Sequence, residues 1–154
     1  MQILLACVSK PLKAWVKEAC NEYEKRLQTE LNFRVQELAP FAGGKAAEVR
    51  KEKEAERLLT ATPRNAFKIA LDEKGKQLTT KDFSSLLSDW QFAARDVIVY
   101  VGGADGLDQS LLAKVDQTLS LSKMTLPHQI ARLMFTEQLY RATTILNNHP
   151  YHRD

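Results

Sequence analysis

The sequence is poor in the residues that build metal clusters and disulfide frameworks. Its 154 residues include only 2 cysteines and 3 histidines. Cys7 and Cys20 lack both the spacing of a metal site and a CxxC motif. These counts argue against a zinc protein and against a disulfide scaffold, and they predict no metal site. We expect both cysteines to be buried, reduced thiols in a cytoplasmic protein.

Long apolar runs and a basic leader segment are also missing. The stretch VIVYVGGA is far shorter than a membrane span. The opening MQILLACVSK has no basic residue before its apolar run, so it predicts a first strand rather than a signal peptide. With 44% hydrophobic and 27% charged residues, the composition is that of a globular protein, and the length predicts one domain, residues 1–154. The net charge of +3 permits a nucleic-acid partner without requiring one.

Short apolar runs alternate with amphipathic segments along the chain. Strands are predicted at MQILLACVS, FRVQELA, AFKIALD and DVIVYVGG, with a weaker fifth strand near TLSLS. The intervening helices include one that starts at Pro11 with Trp15 on its apolar face, and the charged EVRKEKEAERLL, which we expect to be solvated. TKDFSSLLSDWQFA and DQSLLAKV are also predicted helices, and EKGKQ is predicted to be a turn. The alternation predicts an α/β fold with a mainly parallel sheet flanked by helices.

The last predicted helix, from about Pro127 to Asn147, has an unusual distribution of apolar residues. One wide apolar face includes Met134 and Leu139, and a second narrow strip holds Leu133 and Tyr140. Polar stripes separate the two, one of them formed by Arg132, Thr136 and Thr143. The wide face predicts packing against the sheet. The narrow strip indicates either a further contact, such as a subunit interface, or two isolated apolar side chains at the surface.

Three segments have the residue types of a ligand site. Gly102, Gly103 and Gly106 follow the fourth strand, where they either let a ligand approach the backbone or only form a turn. Their spacing is not GxGxxG, which argues against a dinucleotide fold. SLSKMTLPH offers main-chain groups to a purine-like ligand, or is simply a strand followed by a helix start. The ending HPYHRD combines an aromatic ring, imidazoles and a guanidinium, a set suited to a nucleobase and its phosphates, or is an ordinary surface terminus.

Read together, these segments resemble one family. LDEKGK, VGGADG, SLSKMTLPHQIARLMFTEQLYRA and HPYHRD are similar to the RlmH family of ribosomal RNA methyltransferases, formerly the YbeA-like group, in the SPOUT superfamily. The resemblance covers essentially the whole chain and is most specific from Leu119 onward. It implies a deep trefoil knot in about residues 100–154 and a homodimer that binds S-adenosylmethionine. It also implies methylation of N3 of a pseudouridine in large-subunit (23S) rRNA, within the assembled ribosome.

The resemblance also implies roles for individual residues. Catalysis falls to the tail and the last helix: His152 or His128 would relay the N3 proton, Arg153 and Arg141 would hold a phosphate or stabilise the anionic base, and Tyr151 would stack. In the dimer the tail would serve the neighbouring subunit's cofactor or its own. The implied cofactor contacts are Leu71, Gly102, Leu121, Ser122, Lys123, Met124, Thr125 and Leu126.

Two other functions are compatible with the same motifs. One is a knotted methyltransferase that acts on tRNA, and the other is a non-catalytic, ribosome-associated binding protein of the same fold. A Rossmann oxidoreductase ranks third, because the first strand runs into Ser9, Lys10 and Pro11 without a glycine loop. No membrane partner is predicted.

Overall fold

A five-stranded sheet forms the centre of the fold. The computed structural model describes residues 1–153, so Asp154, the last residue of the predicted tail motif, lies outside the described residues. All strand pairings are parallel, in the order β2-β1-β4-β3-β5. The strands are β1 Ile3–Val8, β2 Phe33–Leu38, β3 Phe67–Gln77, β4 Val97–Val101 and β5 Gln117–Ser120. The predicted α/β fold with a mainly parallel sheet is confirmed.

Helices cover both faces of this sheet. They are α1 Ala14–Glu30, α2 Ala47–Thr60, α3 Thr80–Ala93, α4 Gln109–Leu112 and α5 His128–Leu146. Along β1, Ile3, Leu5 and Cys7 point into a core shared with α1, α3 and α5. The alternate residues point into a second core shared with α2 and α4. The central strands β1 and β4 are buried along their whole length, because helices exclude water from both of their faces.

The local sequence pattern predicted helix α3 well but misplaced the start of helix α1. Helix α3 covers the predicted segment and begins with a capping box between Thr79 and Asp82. Helix α1 instead begins at Ala14, so Pro11 lies before the helix. Trp15 is 58% exposed and not part of the core. The buried residues of α1 begin with Val16 and Cys20, and Trp15 is turned away from that row by about 100°.

The predicted turn at EKGKQ is wrong, because β3 continues through this segment to Gln77. Strand β5 pairs with both parts of β3, with a shift of register between Leu71 and Lys76. Gly75 permits this close pairing, since a Cβ there would lie 2.6 Å from the backbone carbon of Leu119. The pairing partner of this segment is β5, which is distant in sequence, so the local pattern could not predict the pairing.

Helix α5 is buried over a wider face than predicted: Leu139 of the predicted apolar face is buried, and so is Tyr140 of the narrow strip. It packs against both α1 and α3, and the polar stripe Arg132, Thr136 and Thr143 is buried. The two threonine hydroxyls donate to the carbonyl oxygens four residues earlier, each at 2.8 Å. The Arg132 side chain, at a residue only 4% exposed, donates to Glu37 at 2.6 Å and to Glu24 at 3.0 Å. These internal bonds satisfy the two threonine hydroxyls and both terminal nitrogens of Arg132, which lets the stripe be buried, although Arg132 Nε is buried without a hydrogen-bond partner among the described residues.

The two cysteines are free and buried. Burial raises the pKa of the Cys7 thiol to about 12 and raises the pKa of Cys20, so both are neutral thiols near pH 7. Within residues 1–153, no three histidine, cysteine or acidic side chains cluster as metal ligands. In the same range, none of the helices combines the length and the apolar character that crossing a membrane requires.

Candidate functional site

The predicted cofactor residues meet at the carboxyl ends of the strands, which we call the sheet edge. Leu71 of β3 pairs with Val101 of β4 on one side and with Leu119 of β5 on the other. Gly102 and the segment 121–126 follow directly after the ends of β4 and β5, so they lie beside Leu71 at the carboxyl edge. In open α/β sheets this edge is where ligands bind.

The glycine segment after β4 forms a tight turn. Gly103 and Gly106 form an isolated bridge, and the Gly106 amide donates to the Gly103 carbonyl at 3.0 Å. A Cβ on Gly102 would lie 2.6 Å from the carbonyl carbon of Gly106. Gly106 has φ +81°, a conformation that favours glycine. The turn itself therefore requires these glycines, and we call residues 102–106 the glycine turn.

The β5–α5 loop, residues 121–127, is held in shape by hydroxyl groups. The Ser120 hydroxyl donates to the Ser122 carbonyl at 2.8 Å, and the Ser122 hydroxyl accepts from the Met124 amide at 2.9 Å. Thr125 donates to Glu73 of β3 at 2.9 Å. Lys123, Met124 and Thr125 are exposed, whereas Leu121, Ser122 and Leu126 are half-buried.

The chemistry of this edge fits an adenosyl group. Half-buried leucines at 71, 121 and 126 provide apolar contact for a flat heteroaromatic ring. The irregular loop brings main-chain amides and carbonyls to the same edge, where they can form hydrogen bonds with ring nitrogens. Met124, with 77% exposure, is the most exposed large apolar side chain of the loop.

The C-terminal tail is docked on α5 through Glu137. One oxygen of this carboxylate accepts from the Tyr151 hydroxyl at 3.0 Å and from two nitrogens of Arg141, the Nε contact being 3.0 Å. The Arg141 guanidinium also lies 4.7 Å from the centre of the Tyr151 ring. The Tyr151 hydroxyl lies 3.2 Å from that of Tyr23 on α1, and its ring packs edge-on against Tyr140. We call Tyr23, Glu137, Tyr140, Arg141 and Tyr151 the tail anchor.

Two members of the tail anchor, Tyr151 and Arg141, have a raised pKa. Burial raises the pKa of Tyr151 well above 10, and hydrogen bonds with Tyr23 and Glu137 act in the same direction. The hydrogen bond with Glu137 raises the pKa of Arg141. Arg141 is therefore already paired with a carboxylate and stacked on a ring, which makes it a group that positions the tail.

The five predicted catalytic residues do not all meet within the chain. His152 lies beside Arg141, with 3.5 Å between its Nδ1 and Arg141 Nη1, and Arg153 is exposed. His128 is the first residue of α5, next to the β5–α5 loop. His128 and Arg141 are thirteen positions apart on α5, which corresponds to about 20 Å along the axis. The docked tail is thus far from the loop at the sheet edge of the same chain.

An apolar groove lies between α1 and α5 on the outer side of the molecule. It has a volume of about 330 Å³ and is lined by Ala19, Tyr23, Leu133, Met134, Glu137 and Gln138. Of the predicted narrow strip, Leu133 lines this groove, whereas Tyr140 is buried within the chain's own core. Met134, expected on the face that packs against the sheet, also lines the groove.

Sequence reasoning missed several residues that shape the site. Glu137 and Arg141 have the i, i+4 spacing of a helical ion pair, so that contact could have been found. Tyr23 gave no local signal, since 128 positions separate it from Tyr151. The helix α2, predicted to be simply solvated, buries Glu54 and pairs Arg50 with Asp105 of the glycine turn.

Comparison with known proteins adds an independent result. The family model described as predicted SPOUT methyltransferase matches residues 1–152. Ribosomal RNA large subunit methyltransferase H from Methylobacillus flagellatus and that from Hydrogenovibrio crunogenus are each 44% identical over 156 residues, covering 100% of both chains. The protein of that name from Herminiimonas arsenicoxydans is 41% identical, covering 99% of each chain.

One solved structure shares the fold at low identity. It is described as a probable methylase family protein from Haemophilus influenzae Rd KW20. The TM-score is 0.59 at 10% identity, and the match covers 99% of this chain and 70% of that chain.

Proposed function

Since the chain belongs to the SPOUT methyltransferase family, we propose that it transfers a methyl group from S-adenosylmethionine to N3 of a pseudouridine in large-subunit (23S) ribosomal RNA. The target is the assembled ribosome in the cytoplasm. Family membership implies the trefoil knot, and we assign it to about residues 100–154 of one catalytic domain, residues 1–154. The main observation in support is that Leu71, Gly102 and residues 121–126 lie together at one sheet edge. The chain is also similar over its full length to large-subunit rRNA methyltransferases.

The cofactor site is formed by the sheet edge. Leu71, Leu121 and Leu126 enclose the adenine, and Ser122, Lys123, Met124 and Thr125 contribute mainly their main-chain groups. Gly102 keeps the glycine turn close to the strand end, so that the ligand can approach the backbone. When bound, S-adenosylmethionine supplies an electrophilic methyl group on a sulfonium.

The chain's own residues must position the nucleotide and receive a proton. As N3 of the pseudouridine forms its bond to the methyl carbon, the N3 proton must pass to a base. A neutral imidazole suits this role near pH 7. Arg153 is exposed and available to hold a phosphate or the developing anion.

The two histidines divide these tasks. A guanidinium can only donate, so His152 Nδ1 is the acceptor in its contact with Arg141. His152, held beside Arg141 in the tail, acts as a hydrogen-bond donor to the substrate. His128, where the β5–α5 loop meets α5, is then the better acceptor for the N3 proton.

The separation of about 20 Å between the two groups of catalytic residues supports a homodimer. The docked tail of one subunit is remote from its own sheet edge, so it serves the cofactor of the other subunit. The groove between α1 and α5, together with the exposed Trp15, provides an apolar surface for a second copy of the chain.

The decisive experiment is transfer of labelled methyl from S-adenosylmethionine to ribosomes from a strain that lacks its own enzyme of this type. Intact ribosomes, large subunits, naked rRNA and tRNA are assayed separately. Label in intact ribosomes, mapped to N3 of a pseudouridine, supports the proposal. Label only in tRNA would favour the tRNA methyltransferase, and folded protein that fails to bind S-adenosylmethionine would favour the non-catalytic binding protein.

A further inference from the structure

One stripe of helix α2 is turned toward two loops at the carboxyl edge of the sheet. Arg50, Glu54 and Arg57 have the i, i+4, i+7 spacing of one helix face. The loops are the glycine turn and the segment between β2 and α2, residues 39–46, which we call the β2–α2 loop. The helix predicted to be merely solvated therefore holds two neighbouring loops.

Arg50 joins these two loops directly. Its Nε and Nη2 donate to the two carboxylate oxygens of Asp105, in the glycine turn, at 2.8 and 3.1 Å. Its Nη1 donates to the carbonyl oxygens of Lys45 at 2.6 Å and Gly44 at 3.3 Å. The hydrogen bond from Arg50 lowers the pKa of Asp105, so the carboxylate stays charged at neutral pH. A planar fork of this kind fixes geometry in a way that a lysine cannot.

The rest of the β2–α2 loop is held by the other two side chains of the stripe. Glu54, at a residue only 5% exposed, accepts from the Phe41 amide at 3.2 Å. Arg57 donates to the Ala39 carbonyl at 3.1 Å, and its guanidinium lies 5.3 Å from the centre of the Phe41 ring. The loop is compact, since a Cβ on Gly43 would lie 2.8 Å from that ring.

The tip of this restrained loop nevertheless faces solvent. Ala42, Gly43, Lys45 and Ala46 are exposed. The main chain of Lys45 is fixed by Arg50, while its charged side chain extends outward. Restrained loops that expose a cation beside a ligand edge are suited to hold a second substrate.

We infer that the β2–α2 loop is a contact site for the sugar-phosphate backbone of the substrate RNA, in which Lys45 binds a phosphate and Arg50 sets its position relative to the glycine turn. The inference rests on the proposed function. Phosphate is the ligand that fits, because lysine binds it as a point charge and such contacts fix the register of a nucleic acid. Arg50 is a positioning residue, since its donors are spent on Asp105 and the loop carbonyls.

The test compares ribosome binding by wild type, Lys45→Ala and Lys53→Ala. Lys53 is the matched control, an exposed lysine of α2 that contacts Glu56 at 3.1 Å. Sedimentation with ribosomes is measured at several salt concentrations. We expect Lys45→Ala to lower affinity about tenfold and to reduce the slope of log affinity against log salt by about one, as for one lost phosphate contact. Affinity for S-adenosylmethionine should be unchanged in both variants.

A second variant tests the coupling. Arg50→Lys keeps the charge but cannot bridge Asp105 and two carbonyls, so we expect both a higher KM for ribosomes and weaker S-adenosylmethionine binding, in a protein that is still folded at the assay temperature. Wild-type behaviour of Arg50→Lys would overturn the coupling. Lys45→Ala that binds like Lys53→Ala would overturn the contact site, and lower affinity with an unchanged salt slope would indicate a protein contact instead of a phosphate.

These outcomes separate the two proposals. If wild type methylates ribosomes but Lys45→Ala does so equally well, only the present inference fails. If wild type neither binds nor methylates ribosomes, the proposed function itself fails.

Discussion

The two halves of the candidate site are built in opposite ways. The sheet-edge half, with the glycine turn and the β5–α5 loop, depends on the path of the main chain: Gly102 leaves no room for a Cβ, and Ser120 and Ser122 bond to backbone atoms. The tail half depends on side chains, since Glu137, Arg141 and Tyr151 hold one another across α5. A main-chain site suits a constant cofactor, whereas a side-chain network can orient groups that act on the substrate. Damage to the two halves should therefore have separable consequences.

Removal of residues 149–154 should have the largest effect. The deletion takes away Tyr151, His152 and Arg153 together, so we expect methyl transfer to fall by about 10³-fold or more, the scale of lost proton transfer and positioning. Cofactor binding should persist, because the sheet edge is untouched. Single-turnover assays and calorimetric titration with S-adenosylmethionine measure the two quantities. Unchanged turnover would contradict a catalytic tail.

Mixed dimers test whether the tail of one subunit serves the cofactor of the other subunit. The tail-deleted chain is combined with a Gly102→Ala chain, each inactive alone. If a tail serves the other subunit, a mixed dimer contains one intact loop facing one intact tail, and activity returns. A mixture that stays inactive, although exchange of subunits is verified, would place the tail at its own subunit's cofactor.

Gly102→Ala should damage the sheet-edge half alone. The new Cβ would lie 2.6 Å from the Gly106 carbonyl carbon, and such overpacking typically costs about 1–3 kcal/mol in the free energy of unfolding. The shifted turn should also weaken S-adenosylmethionine binding. Ala104→Ser, at an exposed position of the same turn, is the control. Thermal unfolding and calorimetric titration read out both effects, and wild-type cofactor affinity in Gly102→Ala would contradict the assignment.

Glu137→Gln should damage the tail half more mildly. The glutamine can still accept from the Tyr151 hydroxyl, but it loses the charge that pairs with Arg141, so we expect kcat to fall about tenfold, as for one weakened charge-assisted bond. KM for S-adenosylmethionine should not change. Glu52→Gln, at an exposed position of α2, is the matched control.

A double variant tests the network behind that effect. With Tyr151→Phe added, the loss should be smaller than the sum of the two single effects, because both changes weaken the same attachment of the tail to α5: Tyr151→Phe removes its hydrogen bond and Glu137→Gln removes its charge. Full additivity would mean that Glu137 and Tyr151 act independently of each other.

We expect the smallest effect from the buried carboxyl of Glu54, which makes the stability of the protein depend on pH. Burial raises the pKa of Glu54 above its ordinary value of 4.5, although the Phe41 amide opposes the shift. As pH rises from 4.5 through the raised pKa, the unfolded chain releases the proton before the native state does, so stability falls. Glu54→Gln keeps the acceptor for Phe41 and removes this dependence. The difference in melting temperature between Glu54→Gln and wild type should increase as pH rises through this range. The same difference for Glu56→Gln, at an exposed position, should stay constant.

Much of the fold was readable from local patterns. The five β runs, the helix α3 with its Thr79 cap, and the start of α5 after Pro127 all follow from propensity and spacing. The sheet-edge residues also could be named, because they match family motifs, and Gly102 and residues 121–126 follow strand ends. The role predicted for Arg141, to hold a phosphate or stabilise the anionic base, stays a prediction. Its i, i+4 partner Glu137 could have been found from spacing, whereas the contact of Tyr151 with Glu137 could not, since the docked tail reverses over α5 by contacts that no local pattern encodes.

The sequence by itself determined the alternation of strands and helices, the burial of β1 and β4, and the chemical content of the tail. Only the tertiary structure decided that β3 continues to Gln77, that the stripe Arg132, Thr136 and Thr143 is buried, and that α2 restrains the glycine turn. The physical reason is common to all three. Each depends on hydrogen bonds with partners brought together by the fold or formed within a helix, and such bonds make burial of polar groups favourable where the hydrophobic pattern alone predicts exposure.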